Sequence, residues 1–126
     1  MDMLPFFKSI IDQDNEAIVI CDLNHDIIYM NPAASEEYAD DSGYGLIGRS
    51  IFDCHSRKSA EMIYRVVRWF EKDAGNNVIH TFFSESRNMD FYMVALRDGG
   101  KLIGYYEKHV SRTPDTVPAY KPLDSA

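Results

Sequence analysis

The sequence is poor in cysteine. Cys21 and Cys54 are its only two cysteines; they lie far apart, and neither belongs to a Cys-x-x-Cys pair. This usage does not suit a disulfide-stabilised secreted scaffold, and it fits reduced thiols in a cytoplasm. Long apolar runs are also missing, since AIVIC and FYMVAL are only strand-sized. The start, MDMLPFFKSIIDQ, carries an early acid and does not read as a secretory signal. We therefore expect a cytoplasmic protein.

Basic residues are outnumbered by acidic ones. Thirteen Lys and Arg stand against 20 Asp and Glu, which gives a formal net charge of −7. An acidic chain is poorly suited to neutralising phosphates, so we expect neither nucleic-acid binding nor attachment to anionic membranes. The 126 residues are 45% hydrophobic and 13% aromatic, which is enough for one folded domain with one core.

The first half of the chain shows helix and hairpin signals. A short amphipathic helix is predicted near the N-terminus, with Pro5 in its first turn and an apolar face of Met3, Phe6, Phe7, Ile10 and Ile11. Residues 16–22 and 26–31 predict a hairpin with Asn24 and His25 in its turn. Asn31 and Pro32 then predict a capped helix start.

The second half predicts the longest helix, over 57–73, followed by strands at 77–84, 89–97 and 101–110. DGG, at 98–100, predicts a tight hairpin between the last two strands. The tail, 112–126, has prolines at 114, 118 and 122, so we expect it to be extended or disordered. Two hairpin units flanking a helical excursion predict an α+β fold, with an antiparallel sheet carrying helices on one face.

This order of elements resembles the PAS sensor-domain family. VICDLNHDIIYMNPAASEEY is similar to the family's first hairpin and Asn-capped helix, GLIGRSIFD to its Gly-Arg turn, and LIGYYEKHVSR to its last strand. The tract DCHSRKS is similar to a CHxxKS variant found in PAS domains beside hemerythrin-like modules. The likeness covers about residues 4–111, and we assign residues 1–111 to the domain.

The resemblance implies a five-stranded sheet of order 2-1-5-4-3. It also implies a small-molecule or cofactor pocket between the sheet and the long helix, and signalling through dimers or an effector protein rather than catalysis. The apolar face of the N-terminal helix must be covered, and we expect a homodimer through it, although packing within one chain is nearly as favourable.

The adjacent Cys54 and His55 allow several chemistries. The family's flavin photoreceptors carry an Asn-Cys-Arg-Phe run after the Gly-Arg turn, and Ser50-Ile51-Phe52 stands there instead, so flavin is not expected. Haem bound through His55 stays open, although the family's haem domains place the ligand histidine inside the long helix. No metal-ligand spacing and no oriented Cys–His catalytic pair is evident, so we expect neither a metal site nor an enzyme.

The sequence thus predicts a ligand-binding sensor with Cys54 and His55 at the rim of its pocket. The complete set of predicted ligand-binding residues is Phe52, Cys54, His55, Met62, Ile63, Val66, Phe83, Met93 and Tyr105. Two alternatives remain, namely a haem-binding gas or redox sensor and a protein-interaction module without a ligand.

Overall fold

A computed structural model describes residues 1–121 of the chain. The regular elements are α1 (Leu4–Gln13), β1 (Ile18–Asp22), β2 (Ile27–Met30), α2 (Pro32–Glu37), α3 (Arg57–Lys72), β3 (Val78–Ser84), β4 (Met89–Asp98) and β5 (Lys101–Ser111). Between α2 and α3 the chain forms three short 3₁₀ segments, Ala39–Asp41, Gly43–Leu46 and Ile51–Cys54. None of the helices described is long and apolar enough to span a membrane.

The strands form one antiparallel sheet of order β2-β1-β5-β4-β3, which confirms the predicted order. The last strand in the chain, β5, therefore lies at the centre, paired with β1 on one side and β4 on the other. The side chains of a strand alternate between the two faces, so every second residue of β5 points toward the middle of the packed face.

The two hairpin turns that the sequence predicts, β1–β2 and β4–β5, depend on left-handed backbone. Gly99 and Gly100 join β4 to β5 with φ angles of 57° and 85°, as the DGG signal predicts. In the turn between β1 and β2, His25 adopts φ 65°. Its ring is buried, and its Nδ1 lies 2.9 Å from the Tyr105 hydroxyl, so this turn histidine belongs to the core.

The core lies between the sheet and the helices α2 and α3. Fully buried side chains from both layers meet there, including Cys21, Met30, Ile63, Phe70, Met93 and Tyr105. Ser56 caps the start of α3 by accepting a hydrogen bond from the Ser59 amide. At the other end, the Arg97 guanidinium of β4 donates to the carbonyl of Phe70 at 2.6 Å, which fixes α3 onto the sheet.

The two ends of the chain are less covered. No residue of α1 is buried. Residues 113–121 are exposed and carry no helix or strand, and the rest of the predicted tail, 122–126, lies outside the described residues. Arg112, one residue past the predicted domain boundary, contacts the sheet, because it donates two hydrogen bonds to Asp90 at 2.7 and 2.9 Å. These bonds, with a smaller contribution from His80, lower the pKa of Asp90 to about 2.

One buried side chain ties the first three elements together. The amide of Asn31 is completely buried. Its Oδ1 accepts hydrogen bonds from the Ile18 and Ala34 amides at 3.0 and 2.9 Å. Its Nδ2 donates to the carbonyls of Ile11 and Glu16 at 3.0 and 2.9 Å. Asn31 therefore caps α2 while also holding the last turn of α1 and the start of β1.

We expect Asn31→Ala to destabilise the domain by about 3 kcal/mol. The Ile18 and Ala34 amides and the Glu16 carbonyl lose this partner, and each unpaired buried polar group costs at least about 1 kcal/mol. In a domain of this size the loss lowers the Tm by roughly 10 °C in thermal denaturation. Asn24→Ala, in the exposed turn, is the matched control and should be nearly neutral. A loss below about 1 kcal/mol for Asn31→Ala would show that these bonds are dispensable.

Candidate functional site

Two cavities open between the sheet and the helices. The first, of about 300 Å³, lies over β1 and β2 and is closed by the 3₁₀ segments. The second, of about 400 Å³, lies over β3 and β4 beside the first turns of α3. Tyr38, His55 and Glu107 line both cavities, so these three side chains stand where the two spaces meet.

The central strand supplies the floor of this junction. Tyr105, Glu107 and His109 alternate along β5 and share its inner face. Glu107 is opposite Val19 on one side and Met93 on the other, and both neighbours are buried. A carboxylate thus lies in the middle of an apolar sheet face.

The carboxylate of Glu107 lacks a hydrogen-bond partner. Although the residue is only 8% exposed, no donor among residues 1–121 bonds to its side chain, and its nearest charged neighbour is His55, with Nε2 at 3.8 Å from Oε1. Burial raises the pKa of Glu107, which His55 and His109 partly oppose and Glu37 reinforces. The cavity wall therefore contains a buried acid that the protein compensates only in part, through His55 and His109.

Two further polar side chains at the junction, those of Tyr38 and His55, resemble Glu107 in lacking a hydrogen-bond partner within residues 1–121. Tyr38 lies at the end of α2, and His55 lies at the end of the third 3₁₀ segment, directly before the Ser56 cap. Neither side chain has a hydrogen-bond partner among the described residues. Within residues 1–121, every side-chain nitrogen or oxygen that is sealed from solvent has a hydrogen-bond partner. The polar atoms of Tyr38, His55 and Glu107 therefore face open space.

His109 differs from them because it is satisfied. Its Nδ1 lies 2.5 Å from the Glu37 carboxylate, and its ring stacks on Phe91 with centroids 4.2 Å apart. Only 3% of the residue is exposed. This pair closes the far side of the second cavity and joins α2 to the central strand.

Three of the sequence-predicted site residues line these cavities. Cys54 is exposed and lines the first cavity, and His55 is partly buried and lines both. Met62 lines the second cavity from α3. The tract before the long helix thus lies at the edge of the cavity, where the sequence places it.

The other six predicted ligand-binding residues do not line the two cavities. Ile63, Met93 and Tyr105 are completely or almost completely buried in the core beneath the cavities. Phe52 stacks on Tyr64 at 5.0 Å and packs against the core. Val66 lines a separate groove between α3 and β3, and Phe83 lies under Arg112, whose guanidinium carbon is 3.9 Å from its ring centroid. The structure does not bring these six to the two cavities.

Sequence reasoning missed Tyr38 and Glu107. A signal for Glu107 was available: Tyr105 was assigned to the pocket, and strand alternation then places residues 107 and 109 on the same face. No such periodicity indicates Tyr38, because it follows a helix of only six residues whose direction depends on tertiary packing.

The two thiols are unsuited to nucleophilic chemistry. Burial raises the pKa of the Cys21 thiol to about 12. Desolvation also raises the pKa of Cys54, against the opposing influence of Arg49, so the thiolate is disfavoured at neutral pH. Within residues 1–121, no group of three or more His, Cys, Asp or Glu side chains is arranged to hold a metal ion.

Comparisons with known proteins identify the fold. No family model matches the chain, and no curated protein matches it significantly. Several solved structures are similar to it. The PAS domain of a Colwellia psychrerythraea protein is 19% identical with a TM-score of 0.65, over 89% of this chain and 98% of that one. The PAS domain of Bordetella pertussis BvgS is 16% identical with a TM-score of 0.52, over 90% and 88% of the two chains.

An RNA-binding light-oxygen-voltage receptor is also similar, with 18% identity and a TM-score of 0.55 over 88% of this chain and 34% of that one. At these identities the likeness shows the fold alone, and it confirms the PAS-like architecture. The similarity of DCHSRKS to a CHxxKS variant stays a prediction.

We expect Glu107→Gln to stabilise the protein in a pH-dependent way. The folded state raises the pKa of Glu107 above its unfolded value, so ionising this group costs stability as the pH rises from about 4. Removing the charge should add about 1 kcal/mol to the free energy of unfolding at pH 7, which corresponds to a rise of roughly 4 °C in Tm. Below about pH 3 both states are protonated and the gain should vanish. A loss of stability at pH 7 would show instead that Glu107 is paired.

Proposed function

We propose that this chain, which has the fold of a PAS domain, is a cytoplasmic signal-sensing module that binds a small molecule at the junction of its two cavities. The observation that carries the proposal is the convergence of three polar side chains, Tyr38, His55 and Glu107, none of which has a hydrogen-bond partner among the described residues, on the space where the two cavities meet. Polar side chains that converge on a cavity without protein partners are free to hydrogen-bond a ligand, so this arrangement favours a ligand that supplies those partners.

The cavities have the character of a binding site. Their volumes of about 300 and about 400 Å³ fall at the small end of the range for ligand pockets. Ile27, Met30 and Leu46 form apolar walls in the first cavity, and Phe91 and Met62 do so in the second. Apolar walls with a few convergent polar groups are typical of sites that bind small molecules.

Binding rather than catalysis is supported by the chemistry at the junction. Cys54, the thiol that lines the first cavity, has a raised pKa. An effective thiol nucleophile needs a lowered pKa or an adjacent base within hydrogen-bond reach. We therefore propose that ligand occupancy changes the structure without chemical conversion of the ligand.

A continuous set of contacts leads from the junction to α1. Tyr38 ends α2, and Asn31 begins it while donating to the Ile11 carbonyl in the last turn of α1. The Asp12 carboxylate of α1 also accepts a hydrogen bond from the Tyr29 hydroxyl on β2. We propose that a ligand held by Tyr38 shifts α2 and, through Asn31, the direction in which α1 leaves the domain.

The apolar face of α1 offers the output surface. Phe6 and Phe7 are each 53% exposed and Ile10 is 70% exposed, although the last turn of the helix is anchored. An anchored helix with an uncovered apolar face is an interaction surface. We propose that a second copy of the chain covers it, so that ligand binding alters the dimer.

We expect purified protein to retain a small molecule, or to gain thermal stability from one in a metabolite screen. Native mass spectrometry and absorbance spectra detect a retained ligand. Haem is tested in the same experiment. A Soret band that forms with hemin and disappears in His55→Ala would make the domain a haem sensor. If no ligand co-purifies and none raises the Tm, the protein-interaction function should replace this proposal.

We expect the wild-type chain to be dimeric in light scattering at high concentration. Phe7→Asp should shift its mass to that of a monomer, because a charge on the apolar face opposes burial. Ser9→Asp places the same charge on the opposite face of α1 and should leave the dimer intact. A monomeric wild type, or a Phe7→Asp protein that stays dimeric, would exclude α1 as the interface.

A further inference from the structure

The polar groups at the junction also indicate which class of ligand belongs there. We propose, building on the function proposed above, that the site binds a small primary amine, with its ammonium group held by Glu107, Tyr38 and His55 and its apolar body lying in one of the two cavities.

Charge is the first argument. Glu107 is an acid on the central strand, buried among apolar neighbours and without a hydrogen bond from residues 1–121. The ionised form of this carboxyl group only accepts hydrogen bonds, so a ligand that offers only acceptors, or an anion, would not stabilise that form. A cation supplies both the missing charge and the missing donors, and charge-assisted hydrogen bonds are the stronger kind.

The number of acceptors is the second argument. A primary ammonium carries three N–H donors and no acceptor. The junction presents three side chains with atoms that can accept a hydrogen bond: the Glu107 carboxylate, the Tyr38 hydroxyl and a ring nitrogen of His55. A quaternary ammonium has no donors, and a planar guanidinium spreads five N–H donors in a fork, so the primary amine is the better match.

Neighbouring charges favour the same sign of ligand. Asp41, Asp53 and Arg49 line the first cavity, and Lys58 lines the second. Together with Glu107, three acidic side chains and two basic side chains therefore line the two cavities. Behind His109, Glu37 lies 2.5 Å from the His109 Nδ1 and 4.0 Å from the Arg87 guanidinium, so its charge is offset by a cation and leaves this balance unchanged. The field at the junction therefore opposes an anionic ligand.

The walls define the rest of the molecule. Phe91 and Tyr92 line the second cavity together with Met62, and Ile27 and Met30 line the first. An ammonium attached to a short aryl or alkyl body would bury apolar surface against these walls while its nitrogen stays at the junction. The arylalkylamine 2-phenylethylamine is a suitable probe.

The test compares three probes of the same shape at pH 7. They are 2-phenylethylamine, neutral 2-phenylethanol and anionic phenylacetate. Binding is measured by calorimetry and by the shift in Tm, with wild-type protein, Glu107→Gln and the control Glu85→Gln, whose acid is exposed in the turn between β3 and β4. Since Glu107→Gln keeps the shape of the side chain, its circular dichroism spectrum and its Tm without ligand verify folding.

We expect the amine to raise the Tm of the wild type and of Glu85→Gln by several degrees. Glu107→Gln should weaken binding of the amine at least tenfold. The alcohol should bind the wild type and Glu107→Gln equally and weakly. Equal amine affinity in Glu107→Gln would overturn the inference. Tighter binding of the alcohol or of phenylacetate, or a retained ligand that is neutral or acidic, would overturn it and leave the sensor function standing. If none of the probes binds and no ligand is retained, both proposals fall.

Discussion

The fold depends on the complete satisfaction of one buried amide. Asn31 uses both its acceptor and its donor atoms to join the end of α1, the start of β1 and the first turn of α2. A buried asparagine is tolerated only when it is hydrogen-bonded, and this one bonds four backbone groups, of which only the Ile11 carbonyl has a second partner within residues 1–121, the Asp14 amide. The path of the chain around the first cavity follows from this residue, because it sets where α2 starts and hence where Tyr38 lies.

The binding site shows the opposite arrangement. Glu107 occupies the centre of the sheet, where an apolar residue would stabilise the protein, and burial raises its pKa because His55 and His109 oppose the desolvation only in part. A protein that satisfies Asn31 completely leaves Glu107, Tyr38 and His55 without hydrogen bonds in one space. Such a local cost to stability is understandable where the missing interactions come from a ligand.

Sequence patterns predicted the architecture better than the site. Caps such as Asn31, the DGG turn and the stripe of α3 depend on residues close in the chain, so helix positions and hairpins could be predicted from them. The strand order was implied only by the resemblance to the PAS family. His55 could be placed at the cavity because it precedes a helix start. Phe83 could not, because its face of β3 depends on an irregularity in register between His80 and Phe82. The meeting of Tyr38 with Glu107 joins residues far apart in sequence, and only tertiary packing brings them together.

The most direct test is a carbon-detected NMR titration of the Glu107 carboxyl group, with and without 2-phenylethylamine. In the free protein its pKa should lie above the ordinary glutamate value of about 4.3, because burial disfavours the charge. With the amine bound the pKa should fall, because the ammonium favours the ionised form. An ordinary pKa in the free protein, or a raised one that the amine leaves unchanged, would contradict the claim that a cationic ligand supplies the compensation that Glu107 lacks in the free protein.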